Sequence, residues 1–93
     1  MSQGLFRLLK IASYIAWNNV GGELALFDGR DGTYHALNES SAAIWRGIAA
    51  GLDETEIVRS LAEDHNAEPA EISRDVRGFI DLVRTKGLLE AGD

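Results

Sequence analysis

The residues in this 93-residue chain that could do chemistry are few, and their spacing rules out most of it. His35 and His65 are the only histidines, they lie far apart, and no cysteine accompanies them. A metal site needs several donors brought close together, which these residues do not supply. Ser40 and Ser41 have no histidine placed by the sequence to act as a base, so they read as the start of a helix rather than as nucleophiles. Asp28 and Asp31 could offer oxygens to a cation, but without a denser set of ligands they read as turn chemistry. The run Gly29-Arg30-Asp31-Gly32 lacks the lysine and the following helix of a phosphate loop. No catalytic residue, no metal and no cofactor are therefore expected, and the chain is not expected to be an enzyme.

What remains is the chemistry of the backbone. Glu23 to Asp28 alternates Leu24 and Leu26 with Ala25 and Phe27, which is the two-residue period of a strand. Gly29 to Gly32 reads as a hairpin loop, and Thr33 to Leu37 as the returning strand. A strand from about Tyr14 to Asn19, turned by Gly21-Gly22, precedes them. It places Ile15 and Trp17 on one side and Tyr14 and Ala16 on the other. In a sequential antiparallel meander the strand Thr33-Tyr34-His35-Ala36-Leu37 lies at an edge. Edge strands carry unpaired N–H and C=O groups that can pair with an extended peptide. This one has neither the proline nor the lysine that often protects such an edge. A loop or the N-terminal segment lying over it is the competing expectation.

Helices follow. Asn38 is a suitable N-cap for a helix from about Glu39 to Ala50, with Ile44, Trp45 and Ile48 on one stripe. Asp53-Glu54-Thr55-Glu56 resembles a capping box and opens a second helix. Pro69 suits the first turn of a third, which runs to about Lys86 with Gly87 as its stop. In that helix Ile72, Val76, Phe79, Ile80 and Val83 face inward. Asp75, Gly78, Phe79 and Leu82 sit on one flank of this stripe, where Phe79 is either core or the floor of a pocket. Gly78 in mid-helix costs about 1 kcal/mol relative to alanine, which is tolerable where a strand must pass close by. Trp17 and Trp45 are both expected to anchor the core between sheet and helices. His35 is a residue whose protonation near neutral pH could tune binding at the edge.

Composition limits the class of protein. The chain is long enough for one modest core, and 45% of it is hydrophobic, so it should fold as one domain. There is no cysteine and hence no disulfide framework. No signal-peptide pattern or membrane span is evident, so a cytoplasmic location is the default. The net charge of −6 disfavours nucleic acid. The apolar, basic stretch Leu5 to Ile11 is an extension of the first strand, a short helix on the core, or a docking surface.

The order and spacing of Gly22-Glu23-Leu24-Ala25-Leu26-Phe27-Asp28, Gly32-Thr33-Tyr34, Leu37-Asn38 and Ala43-Ile44-Trp45 resemble the PqqD-like family. So do Glu56-Ile57, Asp75-Val76, Phe79-Ile80, Leu82 and Gly87-Leu88-Leu89. The resemblance implies an α+β fold, in which a three-stranded antiparallel meander is followed by three helices, akin to winged helix-turn-helix domains. It covers residues 13–89, leaving 1–12 as an N-terminal extension that departs from the family pattern and 90–93 as a tail.

The family's members are recognition elements for peptide natural products that are made on the ribosome and then modified. The resemblance implies that a precursor's leader segment adds as a strand between the third strand and the third helix. It is thereby presented to a separate modifying enzyme or leader protease. The residues so implied are Thr33, Tyr34, His35, Ala36 and Leu37 on the strand, and Asp75, Gly78, Phe79, Leu82, Val83 and Lys86 on the helix. Arg84 or Lys86 could steer an acidic leader by charge. The Gly-Thr-Tyr-His-Ala-Leu-Asn run is similar to free-standing members of lasso-peptide pathways. The alternatives are a chaperone for a radical enzyme in quinone-cofactor synthesis and a winged-helix DNA regulator. The second helix argues against the regulator, because it carries one arginine, Arg59, among Asp53, Glu54, Glu56, Glu63 and Asp64.

Overall fold

Asn38 ends the sheet and begins the helices with one side chain. Its Oδ1 accepts from the Ser41 N–H at 2.9 Å and satisfies one of the open donors of the first helix. The computed structural model describes residues 9–91. In chain order they form β1 (Leu9–Ile11), β2 (Ile15–Val20), β3 (Glu23–Asp28), β4 (Thr33–Leu37), α1 (Glu39–Ala49), α2 (Glu54–His65), α3 (Pro69–Thr85) and β5 (Leu89–Ala91). The fold is α+β, with a three-stranded antiparallel sheet and three helices.

The sheet has the order β2-β3-β4, so β4 is an edge as the meander requires. Its register pairs Leu26 with Trp17 on one side and with His35 on the other. One face thus carries Leu24, Leu26 and Asp28, all buried, together with Thr33, His35 and Leu37. α1 packs against β3 and β4 from that side. The other face carries Ala25, Phe27, Tyr34 and Ala36, with the rings of Phe27 and Tyr34 5.0 Å apart.

The helices are held by the signals that the sequence displays. Asp53 and Glu56 form a reciprocal capping box at 2.8 and 2.9 Å. A Cβ on Gly47 would lie 2.9 Å from Ile57 Cγ1, so α1 and α2 approach more closely there than alanine permits. Val76, Phe79, Ile80 and Val83 are the buried stripe of α3 and pack with Trp45, Ile57 and Leu88 in one core. The side chain of Arg46 ties α1 to the β2–β3 hairpin through Asn19 Oδ1 at 2.8 Å.

The structure departs from the sequence-based expectations at two places. β1 and β5 form a separate antiparallel ribbon in which Leu9 faces Ala91 and Ile11 faces Leu89. Ala12, just after β1, is buried in the core. The described part of the Leu5 to Ile11 stretch is therefore a strand paired with the chain's other end; residues 5–8 lie outside the described residues. Trp17 is not a core anchor. It is 37% exposed, because β2 is the sheet's other edge and the helices do not cover it. Trp45 is fully buried, as expected.

Candidate peptide-binding site

The free side of β4 is the first element of the candidate site. Among the described residues β3 is its only strand partner, since β1 pairs with β5. Successive residues of a strand direct their N–H groups to opposite edges. The Thr33 N–H turns into the hairpin, donating to Asp31 Oδ1 at 3.1 Å. By alternation the N–H groups of His35 and Leu37 run towards β3, and those of Tyr34 and Ala36 are directed to the open edge. Tyr34 is also 74% exposed on the outer face.

α3 is the second element. Asp75, Gly78, Leu82 and Lys86 are exposed along one flank of its buried stripe. Leu82 is 52% exposed, an apolar side chain with little to cover it. A Cβ on Gly78 would meet nothing within 4 Å, so that point of the helix stands open. Phe79 and Val83 belong to the core; Val83 is 2% exposed and supports the wall from behind. The flank is acidic at Asp75, apolar at Leu82 and basic at Lys86.

A wide cleft lies on the other flank of α3, against α2, and is lined by Val58, Ala62, Pro69, Ser73 and Arg77 among others. Arg77 and Leu82 are five residues apart and so about 140° around the helix, which puts this cleft on a different side of α3 from Leu82. Arg77 pairs with Glu54 at 3.1 Å within it, as expected of a solvated groove between two helices.

Three residues outside the predicted site connect the β3–β4 hairpin to the end of α3. Asp28 lies on the inner face of β3 and is 3% exposed. Arg30 Nε and Nη2 reach its two carboxylate oxygens at 3.1 and 2.8 Å. The guanidinium lies 4.5 Å from the centre of the Tyr14 ring, and Nη2 donates to the Lys86 carbonyl at 2.9 Å. Tyr14 Oη donates to the Gly87 carbonyl at 2.6 Å. The signal for this cluster was the alternation itself, because Leu24, Leu26 and Asp28 share a face and a carboxylate on a core face needs a partner. Asp28 and Asp31 thus serve the hairpin, as turn chemistry expects. Among the described residues no three metal-ligating side chains come together.

The guanidinium and backbone N–H of Arg30 hold the Asp28 carboxyl below its ordinary range. A carboxyl depressed by folding contributes stability above its unfolded value, about pH 4, and loses it as pH falls through the folded value. Glu90 is lowered too, chiefly by the Ser13 N–H, and acts in the same window. Acid unfolding followed by circular dichroism is therefore expected to be steeper below about pH 4 in the wild type than in Asp28→Asn, with some slope left in the variant from Glu90. Equal slopes would remove the Asp28–Arg30 pair from the account of stability.

No curated protein matches the chain. Among solved structures, TbiB1 in complex with the TbiA(beta) leader peptide is similar over 90% of this chain and 98% of that chain, with 26% identity and a TM-score of 0.84. A lasso peptide synthetase B1 complexed with the leader peptide has the same fold over 88% of this chain and 96% of that one, with 21% identity and a TM-score of 0.80. The family described as Coenzyme PQQ synthesis protein D (PqqD) matches residues 23–89. That span holds the sheet's β3 and β4 and all three helices, and the chain belongs to the PqqD family.

Proposed function

We propose that this protein binds the leader segment of a ribosomally made precursor peptide as an added strand along β4 and presents it to a separate modifying enzyme or leader protease in lasso-peptide biosynthesis. The observation that carries this reading is the edge of β4 that no strand among the described residues covers, with the exposed flank of α3 taken as the opposite wall. The likeness to TbiB1, solved with a leader peptide, supports it. Tyr34 and Ala36 would supply the main-chain bonds. Leader side chains on the inner face would meet Thr33, His35 and Leu37, and the wall formed by Asp75, Gly78, Leu82 and Lys86, with Phe79 and Val83 behind it. Backbone pairing gives affinity that tolerates sequence variation, and alternate side chains in pockets give selectivity.

The protein acts in the cytoplasm as a non-catalytic carrier, without a cofactor, and binds neither nucleic acid nor membrane. Among the described residues no helix is long and apolar enough to cross a membrane. The family's description, coenzyme PQQ synthesis, favours as a second reading a partner enzyme of quinone-cofactor synthesis, served through the same strand.

One strand with a few side-chain anchors is expected to bind at micromolar Kd or tighter, about −8 kcal/mol. Titration with the cognate leader, followed by amide NMR shifts, tests this. The largest shifts are expected in β4 and in α3 from Asp75 to Lys86. Saturable binding that leaves both segments unmoved would sink the added-strand reading.

A further inference from the structure

The loop that begins β4 and the C-terminal end of α3 are held together by one side chain. Arg30 sits in that loop, three residues before Thr33, and its Nη2 bonds both Asp28 Oδ2 at 2.8 Å and the Lys86 carbonyl at 2.9 Å. The carbonyls at a helix C-terminus attract a cation, and α3 ends there. Tyr14 covers the guanidinium with its ring and bonds the next carbonyl, that of Gly87. Gly87 has φ +79, and a Cβ there would lie 2.7 Å from Arg30 Nη1. The helix stop is thus shaped around the guanidinium. Only a planar fork can grip a carboxylate and a carbonyl together while stacked on a ring, so lysine cannot replace it in full.

The same cluster bounds the groove described above. At one end β4 runs through Asn38 into α1, which packs on α3. At the other end stands Arg30. Between these ends β4 and α3 make no broad contact of their own among the described residues. A strand added to β4 lies about 4.8 Å from it, so its side chains meet α3 only if the helix is held at a set distance.

We propose that Arg30 is a positioning residue for peptide binding. With Asp28 and Tyr14 it clamps the start of β4 to the end of α3 and so holds the groove at the width a bound strand requires. This rests on the leader-binding reading, and the test separates the two. The probe is the synthetic leader segment of the cognate precursor peptide. Affinity is read by calorimetry, folding by thermal melts, and order at both walls by amide line widths.

The wild type is expected to bind. Arg30→Met is expected to stay folded and bind at least about tenfold more weakly, because the groove is no longer preorganised. Its amide lines should broaden by exchange both in β4 and from Arg84 to Leu88. Arg30→Lys should recover part of the loss. Affinity within about twofold of the wild type, or weaker binding with sharp lines from Arg84 to Leu88, overturns the clamp. A wild type that binds no leader overturns the leader-binding reading and the clamp with it. If Arg30→Met unfolds, Tyr14→Phe decides, since it removes only the bond to Gly87. A loss of about threefold supports the clamp, and unchanged affinity overturns it.

Discussion

Leader binding by the Ala36→Pro variant is expected to fall at least about tenfold while the protein remains folded. Proline removes one N–H donor and fixes φ near −65°. At Ala36 the N–H is directed to the open edge of β4, so no bond to β3 is lost. Edge strands accommodate proline for this reason. A peptide added along β4 loses one main-chain bond worth about 1 kcal/mol, and the ring obstructs its neighbours in the ladder. His35→Pro is the matching control. Its N–H runs towards β3, so its main effect should be on the melt, through the β3–β4 ladder. Calorimetric titration of the leader beside a thermal melt separates the two. Wild-type affinity in a folded Ala36→Pro protein would count against strand addition on this edge. The opposite pattern, with Ala36→Pro lowering the melt and His35→Pro lowering only affinity, would reverse which N–H groups face outward.

Trp45→Ala is expected to have the largest effect on stability, about 3–5 kcal/mol in a denaturant titration. Trp45 is fully buried in the core formed by Leu24, Leu26, Ile57 and Ile80. Truncation removes the indole's contacts and leaves a cavity that the surrounding helices and sheet can only partly close. A small domain with about 5–15 kcal/mol of total stability loses a large share of it, so partial unfolding at room temperature is the expected result. Trp45→Phe should cost far less. The ring keeps most of the volume, and no hydrogen bond is forfeited, since the indole Nε1 has no acceptor among the described residues. Similar losses for the two variants would mean that the cost is not one of volume. Leader affinity measured well below the melt should change little in Trp45→Phe, because the groove's exposed residues are untouched.

The local elements were legible in the sequence because each had a local cause. Alternation placed β3 and β4, and a side-chain cap or a capping box began α1 and α2. A proline and a glycine bracketed α3, whose inward residues repeat at helical spacing. β1 and β5 were not legible. Each is only three residues long, and each exists because it pairs with the other from the far end of the chain. Trp17 was misplaced for a related reason. Alternation determines which face of a sheet a residue occupies, but not how far the helices extend across that face. The clamp at Arg30 joins Tyr14, Asp28 and Gly87, three positions that no sequence spacing connects.

The sequence by itself determined the element types, the absence of a visible catalytic set, and the strand Thr33–Leu37 as the one to watch, since periodicity, caps and residue chemistry are local properties. Only the tertiary structure decided that β3 is this strand's one partner among the described residues, that Trp17 lies half-exposed, and that Arg30 joins the loop before β4 to the end of α3. These depend on which surfaces meet when the chain closes on itself. That is a question of packing between residues distant in sequence, and no local pattern encodes it.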